Sequence, residues 1–188
     1  MQALFPSDRD RKLPAFGRKH RGWHLAALLL CATAGLGAAA SAAPGTAVGS
    51  EDGKYVDAEG SPTYNIAPDG KLDWYTFSGY RRYHSECHVC HGPDGAGSTY
   101  APALADSMKT LNYEQFMTIV VQGRTNVGAG NQKVMPSFGE NRNVMCYLDD
   151  IYVYLRARGD GALGRVRPEA HDPKPESAKS AEAACMGN

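Results

Sequence analysis

Apolar residues recur at helical spacing in three separate stretches of this chain. In the first stretch, apolar or small residues lie three or four positions apart: Leu72, Tyr75, Gly79 and Tyr83. They share one face of a predicted helix that runs into Cys87. A glycine inside a helix costs about 1 kcal/mol relative to alanine, so Gly79 predicts that a second helix crosses closely over the first.

Two further stretches also predict helices. One runs from about Tyr113 to Gln122, where Asn112 and Gln115 form a capping signal and Gly123 ends the helix. The other runs from Asn143 to Arg158 and has an apolar repeat: Val144, Leu148, Ile151 and Leu155. Tyr154 in this last helix is the expected contact of Gly79. No β-strand pattern of useful length appears, so the chain is predicted to be all-α, with three or more short helices and long loops.

The remaining segments lack this periodicity. Residues 43–69 are rich in Gly, Ser, Pro and acidic residues and predict an extended arm ahead of a domain at 70–160. Residues 161–188 form a polar tail whose composition is typical of disorder.

The first 42 residues read as a secretory signal. Basic residues are followed by an apolar run from Leu25 to Ala40, and Ala40-Ser41-Ala42 fits a signal-peptidase site. The run is too short for a convincing membrane span. We therefore expect residues 1–42 to be removed on export, leaving no stable membrane span in the mature protein; an uncleaved signal anchor is the alternative.

Charge narrows the choice of partners. The whole chain has a formal net charge of zero, but its leader is basic, so the mature chain is mildly acidic. This balance argues against nucleic acid as a partner and suits a protein with a basic docking patch.

Candidate chemistry is concentrated in the segment Cys87-His88-Val89-Cys90-His91. Covalent attachment of c-type haem requires two thiols and an imidazole at this spacing, with Cys87 and Cys90 as thioethers and His91 as proximal iron ligand. A thioredoxin-like redox pair would follow a strand in a βαβ unit, and a zinc site would need a second ligand pair nearby. The sequence offers neither, so one covalently bound haem is the prediction.

A sixth iron ligand can be sought among the five methionines that follow the leader: Met108, Met117, Met135, Met145 and Met186. Met135 precedes a proline, which disfavours a helical backbone, and it lies in a glycine-rich segment that predicts a loop over a haem face. Met117 and Met145 fall on predicted helices, where core packing suits them better. His171 in the polar tail is a weaker competitor. Met135 opposite His91 would raise the reduction potential relative to two histidines.

Several other polar residues are expected at the surface. Arg81 and Arg82 could bind a haem propionate or a partner carboxylate, but they are adjacent on the first helix, so they should point in different directions and be solvated. His84 and His88 are also interpreted as surface residues.

The motifs of this chain resemble those of small class I cytochromes c over residues 72–158. The matching segments stand in the same order: Gly79, Tyr83, Cys87 to Gly92, Ala101-Pro102-Ala103-Leu104 and Met135-Pro136-Ser137-Phe138. The resemblance implies the fold of that family, with short helices around a covalently bound haem. It also implies that the Pro102 carbonyl orients His91 and that Leu104 packs on the porphyrin.

A narrower resemblance is to methanol-metabolism-related c-type cytochromes with four cysteines in the mature protein. It rests on residues 74–83 and on Cys146 and Cys185. It implies a periplasmic electron-transfer protein, not an enzyme, that accepts electrons from a quinoprotein (PQQ) methanol or alcohol dehydrogenase. The electrons would pass to another cytochrome c or a terminal oxidase.

Cys146 and Cys185 are the two cysteines left once haem attachment uses the other pair. An oxidising compartment favours a disulfide between them, which would tie the tail back onto the domain. The alternative is that Cys146 is a buried small residue and Cys185 a free thiol.

Two functional alternatives to an electron carrier stay open. One is a peroxidase-like haem enzyme with an open sixth site, which would show high-spin or labile iron. The other is a haem subunit of a larger oxidoreductase.

Overall fold

The computed structural model describes residues 45–128 and 131–187, so the predicted leader and its cleavage site lie outside the described residues. The described part contains seven α-helices: α1 (Trp74–Glu86), α2 (His88–His91), α3 (Leu104–Ser107), α4 (Tyr113–Gln122), α5 (Arg142–Met145), α6 (Leu148–Gly159) and α7 (Glu176–Met186). It also contains five short strands: β1 (Gly49–Glu51), β2 (Lys54–Val56), β3 (Pro62–Thr63), β4 (Arg124–Gly128) and β5 (Asn131–Met135).

Two of the three predicted helices are confirmed, and the second of them has the predicted capping residues. In α4, the Asn112 side chain accepts from the Gln115 N–H while the Gln115 side chain accepts from the Asn112 N–H. Gly123 follows the last residue with φ 74°, a conformation that favours glycine. α1 begins after Asp73, whose carboxylate accepts from the Thr76 N–H at 2.9 Å.

The third predicted helix is two helices. Tyr147, between α5 and α6, has φ −134° and ψ 22°, and therefore interrupts the helical backbone. Cys146, which ends α5, is bonded to Cys185. The apolar repeat continues across this break, so periodicity alone predicted a single helix.

α1 and α6 cross at Gly79, as the sequence predicts. A Cβ atom at Gly79 would lie 1.8 Å from the Asp150 carbonyl oxygen and 2.8 Å from the Tyr154 Cβ. Only a residue without a side chain permits this approach. The crossing forms the centre of the core, where the largest fully buried side chains include Tyr83, Tyr154, Leu72, Ile151 and Leu155.

The prediction that no strand forms is wrong. β1, β2 and β3 make an antiparallel sheet within the predicted arm, and β4 pairs with β5 so that Arg124 lies opposite Met135. These strands are two to five residues long, which is too short for an alternating pattern to stand out in the sequence. The fold is helical with two small sheets, not all-α.

The polar tail is also more ordered than its composition predicts. It contains α7, and the Cys146 and Cys185 sulfur atoms are bonded at 1.98 Å. Further upstream, the Asp172 N–H donates to the Leu72 carbonyl at 2.8 Å, and His171 stacks on Phe77 with ring centroids 3.6 Å apart. The tail therefore packs along the first helix of the domain.

None of the helices in the described ranges has the length and apolarity that a membrane span requires.

Candidate haem-binding site

The cysteine–histidine segment begins where α1 ends. The Cys87 N–H donates to the Tyr83 carbonyl and closes α1, while the His91 N–H donates to the Cys87 carbonyl and closes the single turn of α2. This turn holds both thiols and the imidazole in one short loop.

His91 is buried, with 7% of its surface exposed, and its ring orientation is fixed by the backbone. Its Nδ1 lies 3.0 Å from the carbonyl oxygen of Pro102, the residue that the family resemblance implies. A carbonyl can only accept, so Nδ1 carries the proton and Nε2 is left as the nitrogen with a free lone pair. That is the arrangement a metal-binding histidine needs.

Tight turns bring Pro102 to His91. The Gly97 N–H donates to the His91 carbonyl at 2.7 Å. A Cβ on Gly92, which has φ 72°, would lie 2.2 Å from the Gly97 carbonyl oxygen. Gly97 has φ 82°, and its Cβ would lie 2.7 Å from the Ala103 nitrogen. These glycines let the chain fold back over the histidine.

The Tyr83 hydroxyl is a structural anchor that the sequence did not reveal. It donates to the Gly92 carbonyl at 2.5 Å and accepts from the Gly95 N–H at 3.0 Å. Periodicity identifies Tyr83 only as a core residue, because a phenylalanine would give the same pattern. The hydroxyl links the buried face of α1 to the loop that follows the histidine.

Asp94 is a second residue that sequence reasoning missed. Its backbone has φ 56°, its carboxylate lies 3.3 Å from His84 Nε2, and its carbonyl accepts from Arg158 Nε at 3.0 Å. Its position in a Gly-Pro-Asp-Gly turn was the available signal.

The two thiols suit haem attachment better than the alternatives. Cys87 is half-buried, Cys90 is exposed, and both are free. Burial raises the pKa of the Cys87 thiol to about 12, whereas a thioredoxin-like pair needs a lowered pKa. Within the described residues, no group of three or more His, Cys, Asp or Glu side chains is arranged to hold a metal ion by itself. Free thiols beside an oriented imidazole fit covalent haem c.

The structure places Leu104 at the start of α3, half-buried and packed against the core. Met135 is likewise half-buried against the core, but it ends strand β5 and is not on the predicted loop. Its pairing with Arg124 is the reason. A Cβ on Gly123 would lie 2.6 Å from the Met135 carbonyl oxygen, so this glycine is required for the close approach.

The residues after Met135 are fixed to the end of α4. The Phe138 N–H donates to the Val120 carbonyl at 3.0 Å, and the Gly139 N–H and Ser137 hydroxyl both donate to the Val121 carbonyl. The segment that carries Met135 is therefore anchored on its C-terminal side.

The other candidate ligands lie in different settings. Met117 lies on α4 and Met145 on α5, as predicted, and both pack against the core. His171 stacks on Phe77 in the tail.

The expected surface positions of three polar residues need correction, whereas Arg81 is exposed as expected. His84 is half-buried against Asp94, and His88 Nδ1 is buried without a hydrogen-bond partner in the described residues. Arg82 lies over the Tyr147 ring, with Cζ 3.5 Å from its centroid, and it lines the same cavity as Arg81. Contacts with residues outside α1 cover Arg82 and His84, and helical position alone does not reveal such contacts.

Comparison with known proteins adds independent evidence. The profile of the family described as cytochrome c oxidase, cbb3-type, subunit III matches residues 77–155. Cytochrome c-553I of Paracoccus denitrificans is 54% identical over 136 residues, which are 72% of this chain and 60% of that protein. The chain thus spans less than two thirds of the length of that relative.

Two more relatives are covered more fully. Cytochrome c-555 of Methylococcus capsulatus is 36% identical over 93 residues, which are 49% of this chain and 69% of that protein. The crystal structure of c-type cytochrome XoxG from Methylobacterium extorquens AM1 matches with a TM-score of 0.70 and 60% identity. The match covers 75% of this chain and 86% of that one.

Proposed function

This chain belongs to the c-type cytochromes, and on that premise we propose that it is a one-electron carrier. The family binds haem c covalently, so this chain carries haem c. The observation that supports the role most directly is the buried His91, oriented by the Pro102 carbonyl beside two free thiols.

In this proposal Cys87 and Cys90 hold the haem through thioethers, and His91 binds the iron through Nε2. The bound haem supplies a centre that is reduced and oxidised by one electron. The Pro102 carbonyl, 3.0 Å from Nδ1, keeps the imidazole from rotating and increases its strength as a ligand. Leu104 would contribute an apolar contact to the porphyrin.

Met135 is the proposed ligand on the opposite face. It is half-buried, and its neighbours on both sides are fixed to β4 and α4. A side chain at a fixed backbone position closes the sixth site without a large ordering cost. A closed site favours electron transfer over the peroxidase-like alternative, because a small substrate then has no open position.

The proposed donor is a quinoprotein methanol or alcohol dehydrogenase, and the proposed acceptor is another cytochrome c or a terminal oxidase. The proposed donor comes from the resemblance to methanol-metabolism-related cytochromes. The similar cytochromes from Methylobacterium extorquens and Methylococcus capsulatus support that choice of donor. The proposed location is the periplasm, and this proposal rests on the export signal that the sequence predicts at residues 1–42.

Stopped-flow spectroscopy tests the donor. Oxidised holoprotein is mixed with a quinoprotein methanol dehydrogenase, with methanol and without it. We expect fast haem reduction that requires methanol. If a chemical reductant reduces the haem readily but this donor does not, the protein remains a cytochrome and the proposed donor is wrong.

A second candidate role is a haem subunit of a larger oxidoreductase. The observation in its favour is the match of residues 77–155 to a family described by an oxidase subunit. Purification from the native membrane and soluble fractions distinguishes the two roles. A subunit would copurify with a large enzyme at fixed ratio, whereas a carrier would elute alone.

A further inference from the structure

A cavity of about 250 Å³ lies where the C-terminal tail packs on α1. Arg81 and Arg82 line it from α1, and Lys174 lines it from the residues just before α7. Glu182 of α7 is the carboxylate among the described lining residues. Three cationic groups therefore face one anionic group, and the cavity is electropositive.

One of these cations is already neutralised. Lys174 forms an ion pair with Glu182. The Arg82 guanidinium instead stacks on the Tyr147 ring, with Cζ 3.5 Å from the ring centroid. Neither Arg81 nor Arg82 makes an ion pair with another described residue. Two guanidinium groups thus remain available to an external anion.

Tyr147 supplies a second, independent observation. It lines the same cavity, is only 5% exposed, and its hydroxyl has no hydrogen-bond partner in the described part of the chain. Burying an unpartnered hydroxyl costs free energy, and such groups are rare in folded proteins. Burial is the main cause that raises the pKa of this hydroxyl, while the Arg82 charge lowers it. The Glu182 carboxylate lies near the hydroxyl and raises its pKa through a weak hydrogen-bonding contact and its charge, but the pair falls short of the geometry of a full hydrogen bond. The hydroxyl therefore stays protonated and can donate.

We propose that this cavity binds a small oxyanion, such as phosphate or a carboxylate, through Arg81, Arg82 and the Tyr147 hydroxyl. Guanidinium groups present pairs of N–H donors whose geometry matches two oxygens of a phosphate or carboxylate. Sites for drug-sized ligands and cofactors are roughly 300–1,000 Å³, so a cavity of about 250 Å³ suits a small ion better.

The disulfide holds the two sides of this cavity together. Cys146 directly precedes Tyr147, and its partner Cys185 lies on α7 with Glu182. The link is reinforced where Arg142 donates to the Met186 carbonyl at 3.0 Å. Without the bond, the side of the cavity formed by α7 would lose its covalent connection to Tyr147, and we expect anion binding to weaken.

Isothermal titration calorimetry of the holoprotein tests the proposal. Sodium phosphate and sodium succinate are titrated separately at constant ionic strength. We expect saturable binding of at least one anion, weakened about tenfold or more by Arg82→Gln and several-fold by Tyr147→Phe. The matched control is Arg167→Gln, which removes the same charge from an exposed residue outside the cavity and should bind like the wild type.

The variants distinguish a built site from general charge attraction. Equal weakening by Arg82→Gln and Arg167→Gln, or no saturable binding of either anion, would overturn the proposal. The Cys146→Ser/Cys185→Ser pair should weaken binding while circular dichroism shows retained helices. If Arg82→Gln does not fold, Arg81→Gln provides the same comparison at an exposed position. The phosphate and succinate titrations show which oxyanion the cavity prefers.

Discussion

At the scale of single residues, the orientation of His91 depends on atoms outside its own helix. The Pro102 carbonyl holds Nδ1 at 3.0 Å, and the Tyr83 hydroxyl holds the intervening loop at Gly92 and Gly95. The ring therefore presents Nε2 in a fixed direction before a metal binds. Such preorganisation reduces the rearrangement that accompanies a change of redox state.

Replacing Met135 tests the proposed sixth ligand. Met135→Ala removes the thioether and should convert the low-spin haem to a high-spin or water-bound form with a lower reduction potential. Optical and electron paramagnetic resonance spectra measure the change. Met145→Ala is the control, because it removes a half-buried methionine that packs against the core from α5. Unchanged low-spin spectra in Met135→Ala would exclude this ligand.

Asp150 should make stability depend on pH. It is 8% exposed, and burial raises its pKa from 3.8 to about 7, against smaller opposing effects of Ser78 and Lys54. The carboxylates of Asp149 and Asp73 raise it further. As the pH rises from about 4 to about 7, the unfolded chain releases a proton that the folded chain keeps, so this group lowers the free energy of unfolding.

Asp150→Asn should remove that contribution. One pKa unit corresponds to about 1.4 kcal/mol, so the variant should be more stable than the wild type by at least about 1 kcal/mol at pH 8. The difference should disappear near pH 4. Denaturant unfolding followed by circular dichroism at several pH values measures it, with the exposed Glu169→Gln as control. A difference that does not vary with pH would contradict the assignment.

At the scale of secondary-structure elements, the fold depends on the α1–α6 crossing. Gly79→Ala would place a Cβ atom 1.8 Å from the Asp150 carbonyl oxygen, so the helices must separate. We expect a loss of about 3 kcal/mol or more in the free energy of unfolding, measured by denaturant titration.

The control for this substitution is Gly164→Ala, because no heavy atom lies within 4 Å of the Cβ position at Gly164. It should change stability by no more than about 0.5 kcal/mol. Similar effects of the two substitutions would contradict the role assigned to the crossing.

The elements also show which parts of the structure local sequence can predict. The bounds and capping box of α4 follow from adjacent residues, and the Gly79–Tyr154 contact follows from an unusual residue in a periodic pattern. The break at Tyr147 and the pairing of Arg124 with Met135 depend on distant partners, so they leave little local signal. The haem-attachment motif is predictable because covalent attachment itself fixes the spacing of its two cysteines and its histidine. The role of the Tyr83 hydroxyl and the cavity at Arg82 depend on tertiary contacts, which the local sequence does not show.

At the scale of the whole molecule, the disulfide joins the tail to the helical domain across 39 residues. In the chain-entropy model a loop of this length contributes about 4 kcal/mol to the free energy of unfolding. Cys146→Ser/Cys185→Ser should lower stability by about that amount and expose α7 to proteolysis. Denaturant unfolding and limited proteolysis of the holoprotein measure both effects. An α7 that stays protected at unchanged stability would show that noncovalent contacts hold the tail.

In the proposed role, the protein carries one electron on a haem whose two axial positions are occupied by its own side chains. The most direct test is an optical redox titration of the holoprotein, repeated under carbon monoxide. With both axial positions filled, we expect one reversible one-electron transition, low-spin spectra in both redox states and no rapid carbon monoxide binding. A high-spin reduced haem that binds carbon monoxide rapidly would contradict it and favour an enzyme with an open sixth site.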